Sequence, residues 1–342
     1  MSTTANVTIH ESQFPESVRR DLLETLRSRR VNHKFHYDSV KQTQKWLALH
    51  QAYSPTRNDA DCGAVYEKGF AAAAEKIKTK GVQVIGLGCG GGQKDTRLLK
   101  LLKSRGREIF YTPCDVSPAM VLVARQAALT VVPEENCFPF VCDLATAGDL
   151  SEMVGLARCA DRPPQRGVPT ISRIVTFFGM IPNFEPPEIL LKLASLIRPK
   201  DFLLFSANLA PGKNYAAGMK KILPQYDNDL TRDWLMTFLD DAGVERRDGD
   251  LRFTIEDGRF GLKRVTARFH FRRPRQVAIG DETFSFKTGD SIQLFFSYRY
   301  TPERVRKILA RFGMEVCDQW IAKSGEEGVF LVSRSGISAE RR

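Results

Sequence analysis

No run of about eighteen uninterrupted apolar residues occurs in the 342-residue chain, which excludes a membrane-spanning helix of ordinary length. The opening residues, MSTTANVTIHESQFPESVRR, lack the basic-then-apolar layout of a secretory signal. Cysteine is thin: seven residues, odd in number, scattered at 62, 89, 114, 137, 142, 159 and 317. None of them form a C-x-x-C pair, which argues against a zinc site and against a disulfide framework. No Gly-Lys-Ser/Thr follows a glycine turn, so a nucleoside-triphosphate loop is excluded. No Cys/His or Ser/His arrangement marks a covalent nucleophile. These absences predict a metal-free protein of a reduced, cytoplasmic compartment.

What is present is an apolar share of 42%, enough for one large α/β domain or for a domain with a sizeable insertion. The net charge is +11, from 51 Lys+Arg against 40 Asp+Glu, with local clusters at Arg19–Arg30 and Lys263–Arg275. No nucleic-acid motif accompanies them, and charge alone speaks to solubility.

Residues 1–67 read as a helical lead-in, with a helix over PESVRRDLLETLRS started by Pro15. From 68 to 210 strand and helix patterns alternate: VQVIGLG, EIFYTPCDVS, CFPFVCDL, RIVTFFG and DFLLFSANL as strands, with KGFAAAAEKIKTK, TRLLKLLKSRG, PAMVLVARQAAL and PPEILLKLASLI as helices. That alternation predicts a mainly parallel, doubly wound sheet of Rossmann-like class. Residues 211–300 change texture. A helical stretch broken at Pro224 precedes β-like pieces, of which RVTARFHF alternates cleanly at Val265, Ala267, Phe269 and Phe271. This part reads as an α+β insertion. Residues 301–342 read as a helix and a strand returning to the core.

The turn after the first core strand, GLGCGGGQKD, matches G-x-G-x-x-G, though five glycines in seven residues match many patterns. The acids that follow say more. Asp115 ends the second strand, about 27 residues beyond Gly88, where an acid suits a ribose diol. Asp143 ends the third, where an acid can accept from an exocyclic adenine amine. Helix capping is the plain alternative for both. A glycine turn with these two acids is the usual layout of a Rossmann-like methyltransferase. A nicotinamide-dependent oxidoreductase shares the turn but puts its acid nearer, about 20 residues on. A noncatalytic, basic RNA-binding protein of the same fold has the charge alone in its favour.

Residues from about 30 to 335 resemble the S-adenosylmethionine-dependent Nα-methyltransferases that trimethylate histidine in ergothioneine biosynthesis, and their fungal relatives that N-methylate dimethylallyltryptophan. The resemblance is carried by KFHYDS, AYSPTR, GLGCGGGQKDTRLL, YTPCDVSPAM, FFGMIPNFEP and SIQLFFSYRY. It implies an amino-acid N-methyltransferase of secondary metabolism, with S-adenosyl-L-methionine as cofactor and a small-molecule amine as partner. No nucleic acid or membrane partner is expected, and the chain is expected as a monomer or weak homodimer. By the same resemblance Tyr37 sits near the methyl donor and the amine, and Gly88, Gly90, Lys94, Asp115 and Asp143 contact the cofactor. Tyr53 and Asn183 hold the amine and carboxylate region, while Phe295 and Ser297 lie on the insertion that closes over the substrate.

The chain departs from the family pattern in four places. Gly86 stands where an acid usually opens the glycine motif, and the turn is one residue longer. MIPNF replaces a TIGNF-like turn. Phe295 stands where the histidine enzymes carry a Glu two positions before the insertion's Ser. A phenyl ring cannot accept an imidazole N–H as a carboxylate does, so a substrate less polar than histidine is expected.

Overall fold

The computed structural model describes residues 4–53, 59–148, 150 and 171–335. The short strand β1 (Thr8–Ile9) precedes helices α1 (Pro15–Ser28), α2 (Val40–Tyr53) and α3 (Ala60–Lys76). The core then runs through β2 (Gly81–Leu87), α4 (Gln93–Ser104), β3 (Glu108–Asp115), α5 (Pro118–Ala128), β4 (Phe140–Val141), β5 (Ser172–Phe177), α6 (Pro186–Leu196) and β6 (Phe202–Asn208). Pro118 and Pro186 each open their helix, where a missing N–H costs nothing.

One sheet has the order β1-β4-β3-β2-β5-β6, parallel throughout, and is completed by two strands from the far end of the chain, β13 (Glu327–Arg334) and β12 (Met314–Ile321). β13 runs antiparallel to both neighbours. Every residue of β2 is buried, as a strand covered on both faces requires. Successive residues feed opposite layers: Val84 packs with Phe70 and Leu99, Ile85 with Phe177 and Leu190. The mainly parallel α/β sheet is therefore the one the alternation predicted.

Residues 211–300 build α7 (Tyr215–Ile222), α8 (Asp229–Asp241), a three-stranded antiparallel sheet and a hairpin. The sheet is β7 (Gly249–Asp257), β8 (Lys263–Phe271) and β11 (Ser291–Arg299), with β8 in the middle; the hairpin is β9 (Arg275–Ile279) and β10 (Glu282–Phe286). Val265, Ala267, Phe269 and Phe271 all point inward, as their alternation required. A single apolar layer joins this sheet to Leu26, Val31 and Phe35 of the lead-in and to α8. After α9 (Pro302–Ala310) the chain makes two strands, not the one expected. β12 escapes pattern reading because it is an edge strand with a bulge between Val316 and Asp318, and its outer positions carry Glu315 and Asp318. CFPFVCDL gives only the two residues of β4, since the segment before it forms a 3-10 turn. No described helix is long and apolar enough to cross a membrane.

Candidate functional site

A cavity of about 410 Å³ opens at the carboxyl ends of β2 and β3, where doubly wound sheets bind ligands. Glycine geometry shapes its floor. Gly88 and Gly90 sit at φ +61° and +51°, a region that costs other residues. A Cβ on Gly88 would come 2.5 Å from Met180 Cγ. One on Gly90 would meet only Trp46, at 3.8 Å, and would project into a cradle that a ligand can fill.

Asp115 closes this turn against the second strand. Its Oδ2 accepts from the Gly90 N–H at 2.9 Å and its Oδ1 from the Ser117 N–H at 3.0 Å. A carboxylate has about four acceptor positions, so capping and a ribose diol are compatible here. Burial pushes its carboxyl up, against the backbone N–H groups that favour the charged form. Asp143 is more fully engaged. Oδ1 accepts from Ala145 N–H at 2.9 Å; Oδ2 accepts from Thr146 Oγ1 at 3.0 Å and Asn32 Nδ2 at 3.3 Å, with Lys34 Nζ at 3.7 Å. It thus ties the lead-in to the core at the cavity's edge.

Lys94, on the first turn of α4, points into the cavity wall, donates to the Tyr66 hydroxyl at 3.0 Å and lies 4.4 Å from that ring's centre. The Tyr66 hydroxyl is 2.5 Å from Glu327 Oε1 and 2.7 Å from Ser206 Oγ. Burial pulls the ammonium down and pushes the Glu327 carboxyl up.

The opposite wall holds Tyr37 and Asn183. Tyr37 packs against Trp46 and Trp234, with ring centres 5.8 and 5.6 Å away. Burial, then the Asp115 charge, raises its phenol, so it stays protonated at neutral pH. Asn183 ends a short 3-10 turn, Ile181–Asn183, with Pro182 at its second position. Its backbone N–H donates to Met180 O at 3.0 Å, and among the described residues its side-chain amide makes no hydrogen bond.

Three expected residues fall elsewhere. Tyr53 ends α2 with its side chain 51% exposed and does not line the cavity; the SPTR that follows lies outside the described residues. Phe295 and Ser297 are buried one layer behind the wall. Phe295 packs at 5.4 Å on the His33 ring, 5.8 Å on Trp234 and 6.2 Å on Tyr226. Ser297 Oγ is 2.9 Å from the Tyr226 hydroxyl. The reason is strand geometry: residues 295 and 297 share the face of β11 that α8 and the lead-in cover.

His33, Trp46, Met180 and Asp95 line the cavity without having been singled out. Both His33 ring nitrogens are buried without a hydrogen bond among the described residues, and burial, with the nearby His36 and Arg30, lowers its pKa to about 3. Its neighbourhood was visible in NHKFHYDS, where two histidines precede Tyr37. Among the described residues no cluster of His, Cys, Asp and Glu could hold a metal.

A family model described as histidine-specific, SAM-dependent methyltransferase matches residues 18–334, and the chain belongs to that family. A curated relative, the N-methyltransferase imqF of Aspergillus flavus, is 25% identical over 256 residues, covering 73% of this chain and 67% of the relative. Among solved structures, the CcbJ methyltransferase of Streptomyces caelestis covers 80% of this chain and 98% of its own at 13% identity and TM-score 0.39. The SAM-bound amino pentose methyltransferase CalS10 of Micromonospora echinaspora covers 81% and 91% at 14% and 0.35. The cofactor is thus S-adenosylmethionine, which the open cradle at Gly90 and the Asp115 carboxylate fit. The nicotinamide reading is set aside.

Proposed function

We propose that this methyltransferase methylates the amine of an amino acid or amino-acid-derived small molecule whose side chain is less polar than that of histidine. The carrying observation is the Asn183 amide, without a hydrogen bond among the described residues, on the same cavity as the Tyr37 phenol and the glycine turn. S-adenosylmethionine, when bound, supplies a methyl group already activated on a sulfonium. The protein's task is to present a neutral nitrogen in line with it. An α-amine has a reference pKa near 8 and is mostly ammonium at neutral pH, so it gives a proton to solvent before its lone pair can displace the sulfide from the methyl group. Tyr37, held as a phenol, and the Asn183 carbonyl can each accept an amine N–H and leave the lone pair toward the methyl group. In this division of labour residues 68–210 hold the cofactor, 1–67 and 211–300 enclose the amine, and 301–342 complete the core.

The aromatic wall supports a non-histidine substrate. Trp46 and Phe184 line it, and Phe295 backs it with an apolar ring packed on His33 and Trp234. The basic run at 263–275 is taken up in ion pairs, Arg268 with Glu256, Arg272 with Asp250 and Arg275 with Asp248, which supports a solvated face over a nucleic-acid surface. Mass spectrometry of a panel of amino acids and amines incubated with enzyme and methyl donor tests the reading. Methylation of an aromatic or aliphatic amine in preference to histidine is expected. Efficient trimethylation of histidine overturns it.

A further inference from the structure

Two departures of the glycine motif meet in one place. Gly86 lacks the acid that usually stands there, and the turn carries an additional residue before α4 is under way. A Cβ built on Gly86 would overlap Asp95 Oδ2, with the Tyr111 hydroxyl at 3.2 Å. Asp95 belongs to the first turn of α4, and its carboxylate reaches back over the end of β2 into the space that a side chain at position 86 would occupy. Tyr111 donates to its Oδ2 at 2.7 Å and Thr176 to its Oδ1 at 2.8 Å. Asp95 is 3% exposed and lines the cavity floor. Among the described residues no ion pair joins it, and the Lys94 ammonium, engaged with Tyr66, acts on it only through space.

We infer that Asp95 replaces the missing acid of the glycine motif and binds the α-ammonium of the methyl donor's methionine moiety. A carboxylate held by two hydroxyl donors and out of water, with only the through-space charge of Lys94 to offset its burial, is costly unless a cation joins it. Both hydroxyls bond one side of each oxygen and leave further acceptor positions. The cofactor brings an α-ammonium that is kept through methyl transfer, whereas the sulfonium charge is lost with the methyl group. The glycine at 86 then has a physical reason: it makes room for a carboxylate delivered from the next element. The inference concerns the cofactor alone and stands whichever amine is methylated.

Calorimetry on the full chain separates the possibilities. Asp95→Asn keeps the shape, and a hydroxyl of Tyr111 or Thr176 can turn to accept from the new amide. It should weaken S-adenosylhomocysteine binding on the order of tenfold, the scale of one charge-assisted hydrogen bond. Binding of 5′-methylthioadenosine, which has no ammonium, should change less than twofold. If Asp95→Asn does not fold, the exchange Asp95→Ala with Gly86→Glu carries the test, because it returns the acid to the strand end and removes the overlap. That double variant should bind S-adenosylhomocysteine within a few-fold of the parent. Equal losses for both ligands would mean that Asp95 only shapes the turn. Unchanged S-adenosylhomocysteine affinity, or a folded exchange variant that binds no S-adenosylhomocysteine, would also overturn the assignment.

Discussion

The two walls of the cavity are built by different means. The cofactor wall is backbone: glycines at positive φ, strand ends, and Asp115 clamping two N–H groups. Its parts lie within one short stretch of chain. The wall proposed to face the amine is side-chain volume: Tyr37 and Trp46 in front, Trp234 and Phe295 behind, drawn from segments some two hundred residues apart. A backbone wall accepts one ligand shape. A wall of rings can be repacked for new substrates with the cofactor site left intact, since volume-conserving apolar exchanges cost little.

The sharpest way to break this comparison is to empty the amine wall from behind. Phe295→Ala should cost about 3–5 kcal/mol of stability, as large-to-small changes of buried aromatics do. Chemical denaturation would show it, and the folded fraction should bind S-adenosylhomocysteine with parental affinity. Loss of that affinity in the folded fraction would mean that the walls are not separable.

Next in size is Asp115→Ala, expected to weaken S-adenosylhomocysteine binding by about 1.5–3 kcal/mol in calorimetry. An unchanged affinity would remove Asp115 from the ribose.

Acid should separate the walls by sign. His36 is fully buried on the amine side, its Nε2 2.6 Å from Leu294 O, and burial lowers its pKa to about 4. The unfolded chain takes up that proton near pH 6.5, whereas the folded chain resists until about pH 4. Stability is therefore full above pH 6.5 and falls by about 1.4 kcal/mol per pH unit below it. On the cofactor side burial raises Asp95, Asp115 and Glu327, so the folded state binds their protons first and acid favours it. Hydrogen exchange between pH 6.5 and 4.5 should show α8 and the lead-in opening before β2 and β3. Buried His33, lowered to about 3, acts with the same sign, so His36→Gln should make the slope shallower without flattening it, and an unchanged slope would exclude His36 as a source.

Asn183→Ala should lower kcat/KM about tenfold while cofactor affinity stays within a few-fold. Loss of thermal stability alone would leave Asn183 as a turn residue. The smallest effect belongs to Tyr53→Ala, expected within about 0.5 kcal/mol in both stability and kcat/KM because the ring is half exposed and off the cavity.

The same contrast decides what could be read from the chain. The parallel sheet, the glycine turn and the two acids follow from local pattern, because period, turn chemistry and strand ends are local facts. Tyr37 and Asn183 were reachable through family motifs, and both line the cavity. Phe295 and Ser297 lie on the insertion as expected but do not line this cavity: which face of β11 meets it depends on how that sheet docks on α8, which no local pattern encodes. The edge strand β12 alternates too weakly to be seen. Gly86 and the added residue were visible as separate oddities. Only folding brings Asp95 over Gly86 and makes them one device.

The order of synthesis matters for a sheet finished by its late strand. β13 lies between β6 and β12, and Glu327 at its start meets Tyr66 across 261 residues of sequence. A nascent chain that has made every glycine of the cofactor turn still lacks the carboxylate behind Tyr66 and Lys94. It also carries β6 with an open edge, able to pair with another chain. Contacts so distant close slowly, so the interval between translating β6 and seating β13 is when this protein is most exposed to aggregation and most in need of a holding chaperone.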